Sequence, residues 1–306
     1  MEPVVDQALL PSRTAASGLA RVALSSVLFG LMGVLIRLAH DHGAGVPTVL
    51  AVRSFALLPW LGVFWSPARR ARVREAWRQL LAMALLQTAN AATFYVAVTR
   101  MSPALVALIF YAYPALVVLG SHLLGWSRLD ALIGVAVSAT LLGTGLTIGL
   151  PDSGIDALGV VLAVVNGACY AVYILCAHSA LRRVDPVTTI AFVVGLSSLL
   201  LLPASFALGV SAPTSDAETW SLLALAAAIL FPHVLLMGGI GRLGSAWASL
   251  VTCLEVVTTV VATALVLHQH LGPGSMAGGA LIVLGGVAAP IVASRRSRLA
   301  ERARSA

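Results

Sequence analysis

The side chains that could do chemistry in this chain lie inside long apolar stretches. Glu255 stands about ten residues into the run Ser245–Leu267, and Arg53 about seven residues into the run Val46–Trp65. A charge at the centre of a bilayer costs about 2.5–3.5 kcal/mol, so each of these two residues needs a reason to be there. Glu255 could hold an ammonium group, exchange protons, or pack as a neutral hydrogen-bonded group. Arg53 could receive a carboxylate or phosphate, or join helices through backbone carbonyls.

Amides, tyrosines and threonines form stripes at helical spacing in four of these apolar runs. Residues three, four or seven positions apart project from one face of a helix. Lipid tails offer no hydrogen-bond partners to such polar stripes. The stripes should therefore either line a wet cavity or hydrogen-bond neighbouring helices, and both interpretations stay open. Together with Arg53 and Glu255, the predicted binding or coupling residues are Gln87, Asn90, Tyr111, Tyr113, Asn166, Tyr170, Tyr173, Thr252 and Thr259.

The elements that must position these residues are membrane-spanning helices. The chain is 59% hydrophobic and 10% charged, with a mean hydropathy of +0.96. A helix that crosses a hydrocarbon core of about 30 Å needs about 20 apolar residues. The sequence predicts an all-α membrane protein with about ten transmembrane helices: Val22–Ala39, Val46–Trp65, Gln79–Val98, Pro103–Gly125, Leu129–Leu150, Ala157–His178, Val187–Gly209, Trp220–Gly241, Ser245–Leu267 and Ser275–Ala293.

The arginines give the orientation of these ten spans. Sixteen of the nineteen fall on the side of the N-terminus, one (Arg100) falls on the other side, and Arg37 and Arg53 lie within spans. Loops rich in arginine are cytoplasmic. We therefore predict a multi-pass protein of the bacterial inner membrane with both termini in the cytoplasm. Residues 1–21 carry no signal-peptide pattern and are predicted to be a cytoplasmic tail, as are the basic residues 294–306.

The absence of lysine excludes several functions. All the basic residues are arginine, whereas a Walker A site, a Schiff-base enzyme and a protein kinase each need a lysine. No catalytic motif is present, so we expect neither an enzyme nor a cofactor. The pairs His40 with His42 and His268 with His270 lack a third ligand, and we expect no metal. The net charge of +7 reflects membrane orientation, so nucleic acid is not an expected partner, whereas membrane lipid is.

Two halves of five spans each, residues 22–150 and 157–293, would lie in opposite orientations because five is odd. A shift of 142 residues lays positions 100–129 on 242–271 without a gap and matches Arg100 with Arg242. Arg100 precedes span 4 and Arg242 precedes span 9, from opposite sides of the membrane, as inversion requires. Inverted repeats place a transporter's substrate site near the midplane, where the halves meet. Pro114 in span 4 should kink that helix, and the glycine pairs 145/149 and 274/278 should allow close packing of spans 5 and 10.

With these features the chain resembles the EamA-type transporters of the drug/metabolite transporter superfamily over essentially its whole length. The resemblance is carried by the segment Val52-Arg53-Ser54-Phe55, by the stretch from Arg100 through Pro114 to Arg128-Leu129 and its second copy with Leu254-Glu255, and by the glycine-rich ends of both halves. The family usually has a glutamate where this chain has Ser127 and Gln269, and a proline where it has Val256. These departures concern the subfamily and the substrate.

The resemblance implies a secondary transporter that exports a small metabolite such as an amino acid or an amphipathic compound. A cavity with one acid, several amides and tyrosine hydroxyls suits a small zwitterion or an amphipathic cation better than a nucleotide sugar. The alternative is an anion or phosphorylated-metabolite exchanger that uses Arg53. A membrane-embedded lipid enzyme and a non-transporting scaffold are less favoured alternatives. The sequence predicts no oligomeric state.

Overall fold

A computed structural model describes residues 12–127, 129–149, 156–266 and 272–293. Within these ranges the chain is helical. The helices are α1 (Ser12–Asp41), α2 (Val46–Leu57), α3 (Pro67–Glu75), α4 (Trp77–Val98), α5 (Pro103–Phe110), α6 (Tyr113–Leu123), α7 (Ala131–Ile148), α8 (Ala157–Ala180), α9 (Pro186–Ala207), α10 (Asp216–Ala228), α11 (Leu230–Leu243), α12 (Ser245–Thr252), α13 (Leu254–Val266) and α14 (Pro273–Val283). A 3₁₀ segment, Leu58–Trp65, continues α2, and a π-helical segment, Leu284–Ala288, continues α14.

Ten helical stretches of the described chain are long and apolar enough to cross a membrane, as predicted. Their outer surface carries exposed large apolar side chains such as Leu142 and Leu265, as a lipid-facing surface should. The first stretch begins earlier than predicted, because α1 starts at Ser12 and takes up the second half of the expected tail. Gly18 lies in this added part and packs against α11, where a Cβ would meet Arg242. The helix therefore begins before the predicted span start at Val22.

Five of the ten spans are not single α-helices. Span 2 is α2 followed by the 3₁₀ segment, span 4 is α5 and α6, span 8 is α10 and α11, span 9 is α12 and α13, and span 10 is α14 followed by the π-helical segment. In span 8 the interruption at Ile229 precedes Pro232, whose missing N–H cannot continue the helical ladder. The breaks in spans 4 and 9 lie at equivalent places in the two halves and are described with the site.

Glycines allow spans 5 and 10 to cross closely. A Cβ on Gly278 of α14 would overlap the backbone carbonyl of Gly143 and the side chain of Thr147, both on α7. The glycine pairing differs from the predicted one, because Gly278 meets Gly143 rather than a Gly145/Gly149 pair. In the π segment, Gly286 lies against the carbonyl of Leu250 on α12. The backbone of span 10 therefore packs directly on α7 at Gly278 and on α12 at Gly286, and neither position has room for a side chain.

We call the end of the molecule that holds α3 the arginine-rich end. There, an ion pair joins α3 to the capped start of α9. Asp185 accepts hydrogen bonds from the Thr188 backbone N–H (3.0 Å) and hydroxyl (2.7 Å), and it pairs with Arg72 of α3 at 3.2 Å. Partial burial alone would raise the pKa of Asp185, but the Thr188 hydrogen bonds together with nearby Arg69 and Arg72 hold that pKa below its usual value. The pair links the first half of the chain to the second.

Candidate substrate site at the helix breaks

Spans 4 and 9 break at equivalent positions. In span 4, α5 ends at Phe110 and α6 begins at Tyr113, with Tyr111 and Ala112 between them. In span 9, α12 ends at Thr252 and α13 begins at Leu254, with Cys253 between them. The 142-residue shift read from the sequence places Tyr111 on Cys253. Paired discontinuous helices in the two halves of a transporter are the best structural pointer to its binding site.

Pro114 explains the first break but has no counterpart in the second. Pro114 lies in the first turn of α6, where a proline starts a helix readily. Span 9 has Val256 at the equivalent position, and it breaks nevertheless. There the ladder shortens to three-residue hydrogen bonds, from the N–H of Cys253 to the carbonyl of Leu250 and from the N–H of Val256 to the carbonyl of Cys253. The Leu250 carbonyl lies against Gly286, so packing of span 10 accompanies the break.

Side chains bridge the two breaks. The Tyr113 hydroxyl donates to the Thr252 hydroxyl oxygen, which itself donates to the Ser249 carbonyl at 2.6 Å. The Tyr111 hydroxyl lies next to the Glu255 carboxyl, within range of a side-chain hydrogen bond. Since one partner of each pair is in the first half and the other in the second, the site joins the halves where their helices are interrupted.

Aromatic rings from spans 4 and 6 fill the space around these breaks. Tyr170 of α8 packs edge-on against Tyr113 at 4.8 Å between ring centroids and stacks on Tyr173 at 5.5 Å. Phe110 lies 5.1 Å from Tyr113 and 5.4 Å from Tyr170. We call Phe110, Tyr111, Tyr113, Tyr170 and Tyr173 the aromatic cluster. Offset and edge-on rings at these spacings attract each other and present both apolar faces and hydroxyls.

Tyr170 is the member of the aromatic cluster that lies near both Arg53 and Glu255. Tyr170 interacts with both charges, whereas Arg53 interacts with Tyr170 and Tyr173 and not detectably with Glu255. His233 of α11 also lies near Arg53, and its Nδ1 bonds the Ile229 carbonyl at 2.7 Å. Among the described residues, the Arg53 guanidinium forms no hydrogen bond or ion pair, although it is partly buried. A buried cation without an anionic partner is a candidate ligand-binding group.

The amide stripes act mainly as contacts between helices. The Asn166 side chain donates to the Asn90 backbone carbonyl at 2.5 Å, and the Asn90 side chain donates to the Asn166 backbone carbonyl at 3.2 Å. These two reciprocal bonds join α4 to α8, so the interhelical role fits this pair. Gln87 is 9% exposed and forms no side-chain hydrogen bond with a described residue. Gln87 lies one helical turn before Asn90 on α4.

Thr259 lies away from the break. Its hydroxyl is bonded to the carbonyls of Gly30 (3.2 Å) and Glu255 (2.9 Å), so it fastens α13 to α1. Neither Thr252 nor Thr259 bonds the Glu255 carboxyl, whereas the Tyr111 hydroxyl lies within range of it. Phe110 and His233 belong to the surroundings of the site but were not among the predicted residues. Phe110 shares the aromatic run with Tyr111 and Tyr113, which could have indicated it, whereas no pattern in the sequence indicated His233.

The centre of the site is buried in this conformation, whereas Glu255, Tyr111 and Tyr170 are partly exposed. Tyr113 and Tyr173 are each 2% exposed, and Thr252 is 3% exposed. Among the described residues, no group of three or more His, Cys, Asp or Glu side chains could hold a metal ion. The pair His40 and His42 bonds Ala44 and Ser221, and the pair His268 and His270 lies outside the described residues. What the site offers a ligand is one carboxyl, one guanidinium and a set of aromatic rings with hydroxyls.

Ten spans, two interrupted at equivalent points, define a multi-pass membrane protein built from a repeated five-span unit. The sequence model of the EamA-like transporter family matches residues 16–149 and again residues 157–288. The chain therefore belongs to the EamA-like transporter family of membrane transporters, as the resemblance implied. This membership favours transport over catalysis.

Solved structures agree on the fold. Twenty-nine chains of known structure match. One of them, titled only "Crystal structure of protein", is 18% identical, with a TM-score of 0.76 over 92% of this chain and 98% of that one. At that identity the likeness shows the fold alone. No curated protein matches this chain.

Proposed function

We propose that this transporter moves a small zwitterion or amphipathic cation, such as an amino acid, through the site between the two breaks. The observation that carries the proposal is the meeting of Glu255 and Tyr111 where both halves interrupt their helices. A carboxyl is the natural partner of an ammonium group, and aromatic faces attract cations and apolar side chains. A cationic end of the ligand would lie at Glu255, and a carboxylate end would lie at Arg53.

Transport through this site requires the aromatic cluster to open. Tyr113 and Tyr173 are buried in the described conformation, whereas Glu255 is partly exposed, so a ligand at Glu255 crosses to the other side only after the two halves move apart there. In an inverted-repeat protein such opening alternates between the two sides about a fixed central site. Because the sequence lacks a Walker A lysine, we propose that a gradient or exchange supplies the energy. We also propose that Glu255 is the group that takes up a proton or the ligand's ammonium.

An anion or phosphorylated-metabolite exchanger is the second candidate. It is favoured by Arg53, which has no anionic partner within the described chain. A phosphorylated ligand usually engages several basic groups, whereas the described surroundings of Arg53 otherwise contain tyrosines and His233. A single guanidinium opposite a carboxyl matches a zwitterion better.

Orientation and direction complete the proposal. The sixteen-to-one distribution of arginines supports cytoplasmic termini in a bacterial inner membrane. Export of a metabolite is the direction suggested by the family resemblance. In that case the ligand enters from the arginine-rich end and leaves on the opposite side.

The decisive experiment is transport by purified protein in liposomes. The panel would contain neutral amino acids, an amphipathic drug cation and a sugar phosphate, each tested with and without an imposed pH gradient. We expect the first two classes to be moved. If Glu255 binds the ammonium, Glu255→Gln removes a charge-assisted hydrogen bond of about 1.5–3 kcal/mol, which weakens binding by about 10- to 150-fold. If it couples protons, the same variant loses gradient-driven transport but retains exchange.

A matched control is available on the same helix. Thr258 lies three residues after Glu255 on α13 and faces Gly30 of α1, and its hydroxyl donates to the Leu254 carbonyl. Thr258→Val changes a polar group of similar depth without touching the aromatic cluster, so it should transport normally. Wild-type affinity and rates in Glu255→Gln would refute both roles of the carboxyl. Transport of the sugar phosphate alone would establish the second candidate.

A further inference from the structure

A groove of about 420 Å³ opens at the arginine-rich end, away from the helix breaks. It lies between the 3₁₀ segment, α3 and α9. Its walls are apolar, whereas two arginines lie at its edge. The lining residues are Leu61, Val73, Phe192, Leu196, Leu199, Arg70 and Arg74.

The groove exists because two neighbouring elements touch at one point and then separate. Leu61 of the 3₁₀ segment packs directly on Gly195 of α9, where a Cβ would overlap the leucine side chain. The next residue, Gly62, contributes no side chain and has open space where its Cβ would be. On α9, Phe192, Leu196 and Leu199 share one helix face at the spacing i, i+4 and i+7. The result is an apolar slot between the 3₁₀ segment and α9.

The arginines of α3 divide into two pairs with different surroundings. Arg72 forms an ion pair with Asp185, and Arg69 lies close enough to the same carboxylate to interact with it. Arg70 and Arg74, four residues apart, line the groove and are exposed. Within the described chain they have no anionic partner. The basic segment is therefore partly neutralised on one face and free to bind an anion on the other.

We infer that this groove binds an anionic phospholipid, with its phosphate on Arg70 and Arg74 and an acyl chain along Leu61, Phe192 and Leu196. Two guanidinium groups are well suited to a phosphate, and the walls below them can bury only an apolar chain. The stretch from Phe192 to Leu199 extends about 10 Å along α9, which fits within one hydrocarbon leaflet of about 15 Å. The site is separate from the proposed transport site and does not depend on it.

A ligand that matched only the two arginines, or only the apolar walls, would leave the other part of the groove without a partner. A free phosphate would use the arginines but leave the apolar walls uncovered. A neutral lipid would cover the walls but leave two adjacent cations without a counter-charge. An anionic lipid meets both the charge of the arginines and the apolar walls of the slot. Such a lipid would contact the first half through α3 and the second half through α9.

The test is native mass spectrometry of the delipidated, purified protein titrated with phosphatidylglycerol or phosphatidylcholine of the same acyl chains. The variant is Arg70→Gln with Arg74→Gln, and the matched control is Arg69→Gln with Arg72→Gln, which removes the same charge from the same helix. Each arginine near an anionic surface contributes about 1 kcal/mol, so the variant should lose about thirty-fold in phosphatidylglycerol affinity. The control should lose much less. Melting temperature in detergent checks that both remain folded.

Two further measurements separate the alternatives. Leu196→Trp fills the groove while keeping both arginines, and it should weaken phosphatidylglycerol binding. Glycerol phosphate, which has the headgroup charge without an acyl chain, should compete poorly. Equal losses in the variant and the control would mean diffuse attraction to the basic segment and would overturn the site. Undiminished binding in Leu196→Trp, or tight binding of glycerol phosphate, would overturn the acyl-chain part and leave only an anion site.

Discussion

The reciprocal bonds of Asn90 and Asn166 predict an unusual result in a double-mutant cycle. Each side-chain amide bonds the backbone carbonyl of the other residue, and that carbonyl survives replacement of the side chain. Removing one side chain therefore leaves the other bond intact. Asn90→Ala and Asn166→Ala should each destabilise the protein, and their effects should add. A pair joined side chain to side chain would instead show a coupling energy.

The magnitudes follow from the contacts. Interhelical hydrogen bonds in membrane proteins contribute about 0.6 kcal/mol on average and up to about 1.7 kcal/mol. Asn90→Ala should cost about 1 kcal/mol. Asn166→Ala removes its bond to Asn90 and a long one of 3.4 Å to Thr93, but it also removes the buried Oδ1, which has no donor among the described residues. The cost of Asn166→Ala should therefore be similar or smaller, and the coupling energy should be below about 0.5 kcal/mol.

The assay is reversible unfolding in mixed micelles or bicelles, with transport measured on the same preparations. An interhelical role predicts a loss of stability with an unchanged KM for the transported ligand. A coupling energy above about 1 kcal/mol would show that the two amides bond each other in a way the structure does not contain. Unchanged stability with a raised KM would show that they line the substrate path, and would refute the interhelical role.

Three other predictions follow from particular contacts. Gly278→Ala places a Cβ in the closest helix crossing and should cost about 1–3 kcal/mol in unfolding free energy, whereas Gly134→Ala, which has open space around it, should not destabilise. The pKa of Asp185 is lowered in the folded protein, so the stabilisation that this residue provides is present above about pH 4 and is lost as the pH falls through that pKa. Below about pH 4, the free energy of unfolding of Asp185→Asn should therefore depend less on pH than that of the wild type, and above it the two should have the same pH dependence. In a cysteine-free background, Ala212→Cys should react with an impermeant thiol reagent outside intact cells, and Arg182→Cys should react only after lysis. Reaction of both from the same side would contradict the ten-span topology.

The positions of the spans could be predicted because a bilayer imposes length and composition on each helix separately. The starts of α8 at Ala157 and α12 at Ser245 agree with the predicted starts, and α4 begins only two residues early at Trp77. The start of α1 was missed because Arg13 and Arg21 make its first turns too polar for a span although they remain helical. Hydropathy finds the part of a helix that lies in lipid and not the whole helix.

Breaks and partners within the spans were harder to predict. Pro114 indicated the interruption of span 4, but nothing in the residues around Cys253 marks a break, because it accompanies close packing against Gly286. Helical spacing correctly predicts that Asn166, Tyr170 and Tyr173 lie near one face of α8. It does not specify neighbours, and in the structure Asn166 contacts α4 while the two tyrosines join the aromatic cluster. Which helix a stripe meets depends on tertiary packing.

The two halves are equivalent in backbone but not in charge, and this difference bears on the proposed mechanism. Under the 142-residue shift, Glu255 of the second half corresponds to Tyr113 of the first. An inverted repeat places such residues at equal depth, so a carboxyl lies on one side of the central site and a phenol on the other. Arg53 lies near Tyr170 and Tyr173 of the same aromatic cluster. A ligand with one cationic and one anionic end would therefore bind in a single orientation, and exchange of conformations between the halves would carry it across without turning it round.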